Sequence, residues 1–337
     1  MALLAKELGI DIGTMFTRIA EGDQVLLQEP TVVAVDIEEQ KIVEVGQAAL
    51  NMLGRVSETM EIARPLRNGV VAYYEYTHSF LRLMIEQVTG KLRFFKPQVM
   101  VTHPYGITSV ESRAVHEATL VALGRNSSAQ MVPQPISAAL GIDLPIGTPA
   151  GNMVVILGGG CTQSAVLAMY DIVSGETLRE GGLDLDEAIV SYVRKKYGLI
   201  IGSPTAEQIK IKIGAAVPQD EEKSMELQGQ DQVSGLPKPF TLTTSEVVEA
   251  LEEPLDKIFE SIRLVLERTP PELASDIIDR GIALCGGGAL LRGLDKLTTQ
   301  KLGIPTYLVD NPVTCVVEGA VKALEIFPAL QRNLPRF

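Results

Sequence analysis

Three glycine-rich turns are the features of this sequence most able to do chemistry, and each follows a short apolar run. They lie at residues 13–14, 158–162 and 286–289. Glycine lets the backbone approach a ligand closely, and consecutive N–H groups in such a turn form a concavity that binds anions. A threonine hydroxyl, such as that of Thr14 or Thr162, adds a donor. The expected ligand is phosphate.

The spacing of the glycines excludes the two most familiar nucleotide motifs. None of the three turns matches the Walker or the Rossmann glycine pattern. Any one of them could be merely a bend in the chain. Three such turns at strand ends, with the first two roughly 145 residues apart, suggest two similar halves that face one nucleotide.

The elements that would position these turns alternate between strands and helices. Val99 and Val101 alternate with polar neighbours in a short predicted strand. Thr108 and Glu111 then form a capping box, which predicts a helix that ends near Gly124. Together they make one strand-to-helix unit.

Three more helices are predicted further along the chain. Residues 246–268 place apolar side chains three and four positions apart, and Thr243 with Glu246 supplies a capping box. Thr269 is the predicted N-cap of the next helix, which has proline in its first turn. Ser203, followed by proline, indicates a third helix. Strands that alternate with helices indicate an α/β architecture.

Composition limits the classes of function. The chain has 337 residues, about twice the usual domain length, so two domains are expected. Apolar residues make up 46%, and no apolar run is long enough to cross a bilayer. The formal charge is -12 without a block of lysine and arginine, so nucleic acid is not an expected partner. Three cysteines without metal-ligand spacing fit a reducing cytosol.

The set of turns resembles the superfamily of actin, Hsp70 and sugar kinases, and within it the sequence is most similar to the bacterial MreB family. The similarity runs almost end to end, from about Leu8 to about Ile326. The stretches that carry it are residues 64–66, 68–70, 187–190, 205–211, 235–238, 269–274 and 286–294.

The resemblance implies a fold and a division of the chain. The expected fold is α/β and actin-like. It has two similar halves, each an RNase H-like subdomain with a smaller inserted subdomain, and a nucleotide cleft between them. The four subdomains are expected at residues 1–34, 69–148 and 313–337 (IA), 35–68 (IB), 149–184 and 246–312 (IIA), and 185–245 (IIB).

The resemblance also implies a function. It implies a protein that binds ATP or ADP with Mg²⁺ and polymerises into a double protofilament. The filaments would be cytoplasmic, peripheral on the inner face of the cell membrane, and would organise cell shape and cell-wall elongation. The expected partners are further copies of the chain, the membrane and the elongation machinery, with a MreB paralogue as a further candidate.

Carried over by position, the resemblance assigns each turn a part of the nucleotide. Asp11 would place Mg²⁺ through water. The β- and γ-phosphates would be held by Gly13, Thr14, Met15, Phe16, Gly158, Gly159, Gly160 and Cys161. The ribose and adenine would contact Glu207, Lys210, Gly286, Gly287, Gly288 and Ala289. Because Glu207 and Lys210 lie one helical turn apart, the alternative for them is an exposed ion pair.

Several residues depart from the family at positions where it offers carboxylates. Ile156 stands where MreB-like sequences have Asp, Gln163 where they commonly have Glu, and Leu183 where they usually have Asp. Gln134 stands where a Glu orients water, and an amide can hold that water but cannot take its proton. Because such groups accelerate phosphoryl transfer, weak or absent ATP hydrolysis is expected. The alternative is an active ATPase that tolerates these changes.

Phe94 and Phe95 form a second candidate site. They lie between Lys91 and Lys96, in a loop where the resemblance places the membrane-insertion loop of MreB. Apolar tips with basic flanks suit an anionic membrane surface, and residues 1–7 could lie beside them as a weak second contact. The alternative is that at least one ring packs in the core.

Two other classes of protein share the superfamily. A small-molecule kinase for a sugar or acetate would need a polar substrate cleft with a catalytic Asp, and the missing carboxylates argue against it. A chaperone ATPase would need a separate substrate domain, for which 337 residues leave little room. A structural polymer needs only a nucleotide-sensitive fold with self-complementary ends.

Overall fold

The computed structural model describes residues 6–90, 97–124 and 127–332, in which strands and helices alternate. The strands are β1 (Glu7–Ile12), β2 (Phe16–Glu21), β3 (Gln24–Pro30), β4 (Val33–Asp36), β5 (Lys41–Val45), β6 (Met60–Ala63), β7 (Leu66–Arg67), β8 (Val70–Val71), β9 (Gln98–His103), β10 (Ala129–Pro133), β11 (Asn152–Leu157), β12 (Thr162–Ala168), β13 (Asp171–Leu178), β14 (Leu199–Ile200), β15 (Ser224–Asp231), β16 (Pro237–Thr243), β17 (Ile282–Cys285) and β18 (Thr306–Leu308). The helices are α1 (Gly46–Asn51), α2 (Tyr74–Thr89), α3 (Ser109–Leu123), α4 (Gln134–Gly141), α5 (Gly182–Tyr197), α6 (Ser203–Ile213), α7 (Thr244–Glu267), α8 (Pro271–Arg280), α9 (Leu294–Leu302), α10 (Cys315–Glu325) and α11 (Phe327–Leu330), with a short 3₁₀ helix at Gly287–Leu290.

Two five-stranded sheets share one strand order. The first runs β3-β2-β1-β9-β10 and the second runs β13-β12-β11-β17-β18. In each sheet, the first three strands pair antiparallel and the last two run parallel to the central strand. The prediction of an α/β protein built from two similar halves is confirmed.

The central strands are apolar on both faces because helices cover both sides of each sheet. In β1 only Glu7 is exposed, and β11 is buried throughout. Side chains of α2 and α3 share a core with the first sheet, and those of α5 and α7 share one with the second. The rigid ends of these strands carry the glycine turns.

Helices α4 and α10 join the two halves. Their side chains share one core with strands of both sheets, including Val132 of β10 and Val154 of β11. The helix backbones are so close that a Cβ atom on Gly319 would overlap the carbonyl oxygen of Ser137. Only glycine allows this approach, so the junction between the halves depends on it.

Two predicted capping boxes are confirmed. In α3, the N–H of Glu111 donates to Thr108 Oγ1 (3.2 Å) and the N–H of Thr108 donates to Glu111 Oε2 (2.8 Å). The box of Thr243 and Glu246 opens α7 in the same way. Helix α3 ends at the residue before Gly124, as expected.

The prediction that Thr269 caps a helix is wrong. Pro270 takes the N-cap position of α8, and none of the described side chains caps that end. Thr269 Oγ1 instead donates to the carbonyl of Val265, 2.7 Å away and one turn back in the sequence. The hydroxyl satisfies the end of the preceding helix, because α7 continues almost to this residue.

Two three-stranded sheets stand beside the large ones. They have the orders β5-β4-β6 and β14-β15-β16. In the sequence, the first comes between β3 and β9 of the first large sheet, and the second comes between β13 and β17 of the second large sheet. The subdomain boundaries stay a prediction. None of the helices in residues 6–90, 97–124 and 127–332 combines the length and the apolar character that crossing a bilayer requires.

Candidate functional site

The three glycine turns meet in one cavity of about 210 Å³ between the two large sheets. The predicted site residues that line this cavity are Asp11, Gly13, Thr14, Met15, Phe16, Gln134, Gly158, Gly159, Gly160, Cys161, Glu207, Lys210, Gly286, Gly287 and Gly288. Ala289 lies behind this lining, buried in the 3₁₀ helix. Phe94 and Phe95 lie outside the residues that the structure describes.

The first two turns are the ends of two β-hairpins. The β1–β2 turn is closed by the N–H of Gly13, which donates to the carbonyl of Phe16 (3.0 Å). The β11–β12 turn is closed in the same way from Gly158 to Cys161 (2.9 Å). The two halves therefore present equivalent backbone turns to the cavity.

The two turns touch each other where only glycine fits. A Cβ atom on Gly160 would lie 2.6 Å from Thr14 Oγ1, and one on Gly159 would overlap the side chain of Met15. Thr14 Oγ1 also accepts a hydrogen bond from the N–H of Gly69 (2.9 Å). A larger side chain in the second turn would push the halves apart.

The third turn packs against the end of the central strand β11. Gly286 has a φ of +84°, and a Cβ atom there would overlap the carbonyl of Leu157. Its N–H donates to the carbonyl of Pro312 (2.6 Å). This residue must be glycine on both grounds, which fixes the turn next to the second one.

Asp11, the penultimate residue of β1, accepts hydrogen bonds from two other elements and faces a guanidinium on a third. Its Oδ1 accepts from Thr102 Oγ1 of β9 (2.7 Å) and from Gln134 Nε2 of α4 (3.0 Å). Its Oδ2 lies 3.8 Å from Arg18 Nη1, on the paired strand β2. Burial lowers the pKa of Arg18 and Asp11 opposes this shift, but arginine keeps its proton in proteins.

A chain of amides extends from Asp11 across the cavity. Gln163 Nε2 donates to Gln134 Oε1, and Gln163 Oε1 accepts from the N–H of Tyr105 (2.8 Å). Ile156 lies opposite Gln163 in the register of β11 and β12, almost fully buried, and offers an apolar wall. The end of the cavity near the first two turns thus holds one carboxylate, one guanidinium and two amides.

Leu183 contributes through its backbone. Its N–H donates to the carbonyl of Gly159 (2.8 Å), beside the N–H of Gly182, which donates to Gly158 (2.9 Å). The N-terminus of α5 therefore holds the second turn in place. The substitution at Leu183 leaves this support intact, since any residue other than proline has that N–H.

Beside the N-terminus of α5, Lys210 of α6 pairs with Asp186 of α5. Lys210 Nζ lies 2.8 Å from Asp186 Oδ1 and donates to the carbonyl of Gly182 (2.7 Å). Burial raises the pKa of Asp186 to about 6, against the opposing effect of Lys210. Lys210 therefore does not form the exposed ion pair with Glu207 that was the alternative, because its side chain is mostly buried and pairs with Asp186 of α5.

The described residues suit an anionic ligand better than a bare metal ion. No cluster of three or more His, Cys, Asp or Glu side chains able to hold a metal occurs among residues 6–90, 97–124 and 127–332. Asp11 alone among the carboxylates of the cavity lies at the end of the first two turns, where it can face water around a metal that arrives on phosphates. The three cysteines are buried thiols, and burial raises the pKa of Cys161 to about 12.

Two sheets of one topology, with hairpin turns that meet across a cleft, place this chain in the class of actin-like proteins. A solved structure of the same shape is MreB5 of Spiroplasma citri bound to ADP. Its TM-score is 0.91 at 30% sequence identity, and the match covers 98% of this chain and 99% of that chain. MreB5 bound to AMPPNP gives the same values. The expected actin-like fold is confirmed.

The chain belongs to the MreB/Mbl family, whose family model (MreB/Mbl protein) matches residues 5–332. The cell shape-determining protein Mbl of Bacillus cereus is 40% identical over 335 residues, covering 99% of this chain and 100% of Mbl. The cell shape-determining protein MreB of Escherichia coli K12 is 41% identical over 330 residues, covering 96% of this chain and 94% of MreB. The resemblance read from the sequence is confirmed.

Sequence reasoning missed Arg18, Thr102 and Asp186. Arg18 could have been found, because a hairpin closed around residues 13–16 sets Arg18 opposite Asp11. The contact of Thr102 with Asp11 joins residues 91 positions apart, and no local pattern indicates it. Asp186 lies among several acidic residues in α5, so its burial is visible only once α6 packs beside it.

Proposed function

We propose that this chain binds ATP or ADP in the cavity between its two large sheets and polymerises into actin-like filaments that organise cell shape and cell-wall elongation. The observation that carries the proposal is the convergence of three glycine turns from both halves on one cavity. A ligand that touches both halves at once favours one relative position of the halves. Nucleotide binding can thereby be coupled to assembly.

The proposed arrangement sets the phosphates at the first two turns and the adenosine at the third. Backbone N–H groups of the two hairpin turns face the phosphates, with Asp11 beside Mg²⁺ through water. Glu207 and Lys210 lie on one side of the ribose and base, and the glycines at residues 286–288 lie on the other. The assignment is supported by the positions of these residues in the cavity and by the relative MreB5, solved with ADP and with AMPPNP.

We propose that hydrolysis is weak or absent. Ile156 cannot order water or metal, and Gln134 cannot act as a base. The oxygen of Gln134 already accepts from Gln163, and its nitrogen donates to Asp11. A side chain committed at both ends holds an attacking water less well than a free one. The competing proposals are an active ATPase of the MreB type and a small-molecule kinase.

The proposed setting is the inner face of the cytoplasmic membrane. The partners are other copies of the chain in a double protofilament, the membrane itself through Phe94 and Phe95, the elongation machinery, and a MreB paralogue that could supply hydrolysis. Nucleic acid is not proposed as a partner, because the chain carries a formal charge of -12. The division into subdomains IA, IB, IIA and IIB belongs to the same proposal.

Sedimentation with and without ATP, together with phosphate release, tests the proposal. The chain is expected to pellet with ATP and to release phosphate more slowly than a reference MreB in the same buffer. A kinase would stay in the supernatant and would convert ATP to ADP only when an acceptor is present, with the phosphoryl group bound to that acceptor and not released as phosphate. Failure to bind a fluorescent ATP analogue at millimolar concentration would refute nucleotide binding itself.

Co-sedimentation with anionic liposomes tests the membrane contact. One pair of rings binds weakly, but a filament repeats the pair many times and gains avidity. Pelleting with liposomes should therefore require polymerisation and fall after Phe94→Ala with Phe95→Ala. The matched control replaces Phe80, which is fully buried in the core of the first half, with Leu. Unchanged pelleting of the double variant would assign the contact elsewhere.

A further inference from the structure

Arg18 brings a buried positive charge to the phosphate end of the cavity. Of the described residues that line the cavity, Arg18 and Lys210 carry a positive charge. Lys210 is engaged by the carboxylate of Asp186. Arg18 lies opposite Asp11 in the β1–β2 hairpin, and its side chain is only 12% exposed. Arg18 therefore places a cation beside the first turn, where the phosphates are proposed to lie.

The guanidinium of Arg18 is held by a hydrogen bond from its Nε, and its Nη1 lies farther from the nearest carboxylate. Arg18 Nε donates to Gln28 Oε1 (2.9 Å) on the neighbouring strand β3. The same guanidinium lies over the ring of Phe16, 5.4 Å from its centre. Arg18 Nη1 is 3.8 Å from Asp11 Oδ2, which is beyond hydrogen-bond distance. An arginine held in this way has donors available for an oxyanion, and its planar fork matches a phosphate.

Of the four side-chain oxygens of Asp11, Gln134 and Gln163, three already accept hydrogen bonds from the protein, which leaves Asp11 Oδ2 for the water shell of Mg²⁺. Mg²⁺ keeps several of its waters, and these donate to protein oxygens. Asp11 Oδ1 accepts two hydrogen bonds from the protein, and each amide oxygen of Gln134 and Gln163 accepts one. Ile156 supplies no acceptor at all. The site therefore offers Mg²⁺ weak support from the protein.

We propose that Arg18 binds the nucleotide phosphates directly and takes over part of the charge neutralisation that Mg²⁺ provides, so that nucleotide binding depends little on Mg²⁺. The inference rests on the proposed function, since it requires ATP or ADP in this cavity. It adds a phosphate-binding residue outside the glycine turns. Arg18 is a binding residue here, and no step of hydrolysis is assigned to it.

Titration with a fluorescent ATP analogue, in millimolar Mg²⁺ and in EDTA, tests the inference. The wild-type chain should lose less than about tenfold in affinity when Mg²⁺ is removed. In EDTA, Arg18→Leu should bind on the order of ten- to a hundredfold more weakly than the wild type, the size expected for a hydrogen bond to a charged group. In Mg²⁺ the difference in affinity between the two proteins should be smaller. Arg18→Lys keeps the positive charge without the planar pair of donors, so its affinity in EDTA should lie between those of the wild type and Arg18→Leu.

The matched control is Arg82→Leu, because Arg82 is 64% exposed on α2 and, within the part of the chain that the structure describes, forms an ion pair with its helix neighbour Glu86. Its affinities should equal those of the wild type in both buffers. A wild-type chain that binds tightly in Mg²⁺ and loses more than about a hundredfold in EDTA would overturn the inference. An equal response of Arg18→Leu and wild type to EDTA would also overturn it, and would assign Arg18 a structural role beside Asp11.

Thermal unfolding of each variant separates loss of binding from loss of folding. If Arg18→Leu does not fold, the wild-type comparison and Arg18→Lys still decide the question. Absence of binding in Mg²⁺ by the wild-type chain is a different result. That result would contradict the proposed function. Tight binding that depends strongly on Mg²⁺ would contradict only the role proposed for Arg18.

Discussion

The two hairpins that face the cavity have the same backbone and opposite chemistry. Asp11 and Ile156 are the penultimate residues of β1 and β11, and the strand partners opposite them are Arg18 and Gln163. One hairpin thus offers a carboxylate and a guanidinium side by side, and the other offers an apolar side chain and an amide. The two hairpins therefore share a backbone geometry, but only the first carries charged side chains at these positions.

The difference separates what holds a nucleotide from what cleaves it. The turns act through backbone N–H groups and through glycines that allow close contact, and both halves retain them. The strand-end side chains would act on metal and water, and only the first half retains a carboxylate there. Binding is therefore expected to be robust in this protein, and hydrolysis is expected to be the sensitive property.

The largest expected effect comes from Gly159→Asp, which breaks what the two hairpins share. A Cβ atom at this position overlaps the side chain of Met15, and the added carboxylate points a negative charge at the proposed phosphates. Like charges brought together cost several kcal/mol, so the affinity for ATP should fall on the order of a thousandfold. Fluorescent ATP titration measures it.

Gly202→Asp is the matched control for that change. Gly202 is exposed at the N-cap of α6, a position where Asp is favoured. The control should bind ATP as the wild type does and unfold at the same temperature or slightly higher. If Gly159→Asp binds equally well, the second turn does not contact the phosphates.

A smaller effect is expected from Ile156→Asp, which gives the second hairpin the carboxylate that the first one has. One electrostatic or positioning group is worth on the order of a hundredfold in rate. Phosphate release under polymerising conditions should rise by up to that factor. Ile156 is 5% exposed, so the buried charge should also lower the unfolding temperature, and rates are compared well below it.

Two further variants show whether the charge itself is responsible. Ile156→Asn matches the shape of Asp without its charge and should leave the slow rate unchanged. Ile156→Asp combined with Gln134→Glu should exceed the single change, because a carboxylate can accept the proton of the attacking water. If neither restored carboxylate raises the rate, the missing acids are not what limits hydrolysis.

The sequence predicted the turns and the fold because both depend on local signals. Glycines after apolar strands, and capping boxes such as Thr108 with Glu111, act within a few residues. The resemblance to one family supplied the remaining topology. Thr269 failed as a cap because two helices compete for the same residue, and the carbonyl of Val265 took its hydroxyl.

The chemistry of the cavity was harder to predict, because it depends on contacts between distant elements. Gln134 was assigned to a water, yet its side chain joins Asp11 to Gln163, and these three residues come from three elements. Lys210 is assigned to the nucleotide, and its pairing with Asp186 of another helix is a contact that the sequence did not predict. Which partner a polar side chain finds is fixed by packing, and a single sequence shows only its type.

The smallest expected effect concerns Asp186, which is with Glu207 one of two carboxylates that the second half places in the cavity, away from the strand ends. Its pKa is raised to about 6 by burial, above the ordinary 3.8. Between these values the folded chain holds a proton that the unfolded chain has lost. The contribution of Asp186 to the free energy of unfolding therefore falls as pH rises from about 4 to about 6 and is level above that.

Asp186→Asn removes this contribution and leaves Lys210 without its carboxylate at every pH. The variant should be less stable than the wild type at every pH. The difference between their unfolding temperatures should shrink by a few degrees as pH rises from about 4 to about 6, because the wild type loses stability over that range. Taking the difference between the two proteins cancels the carboxylates that titrate in both. A constant difference for Asp186→Asn would mean that the carboxylate is ionised throughout, and the second half would then hold a charged acid in the cavity.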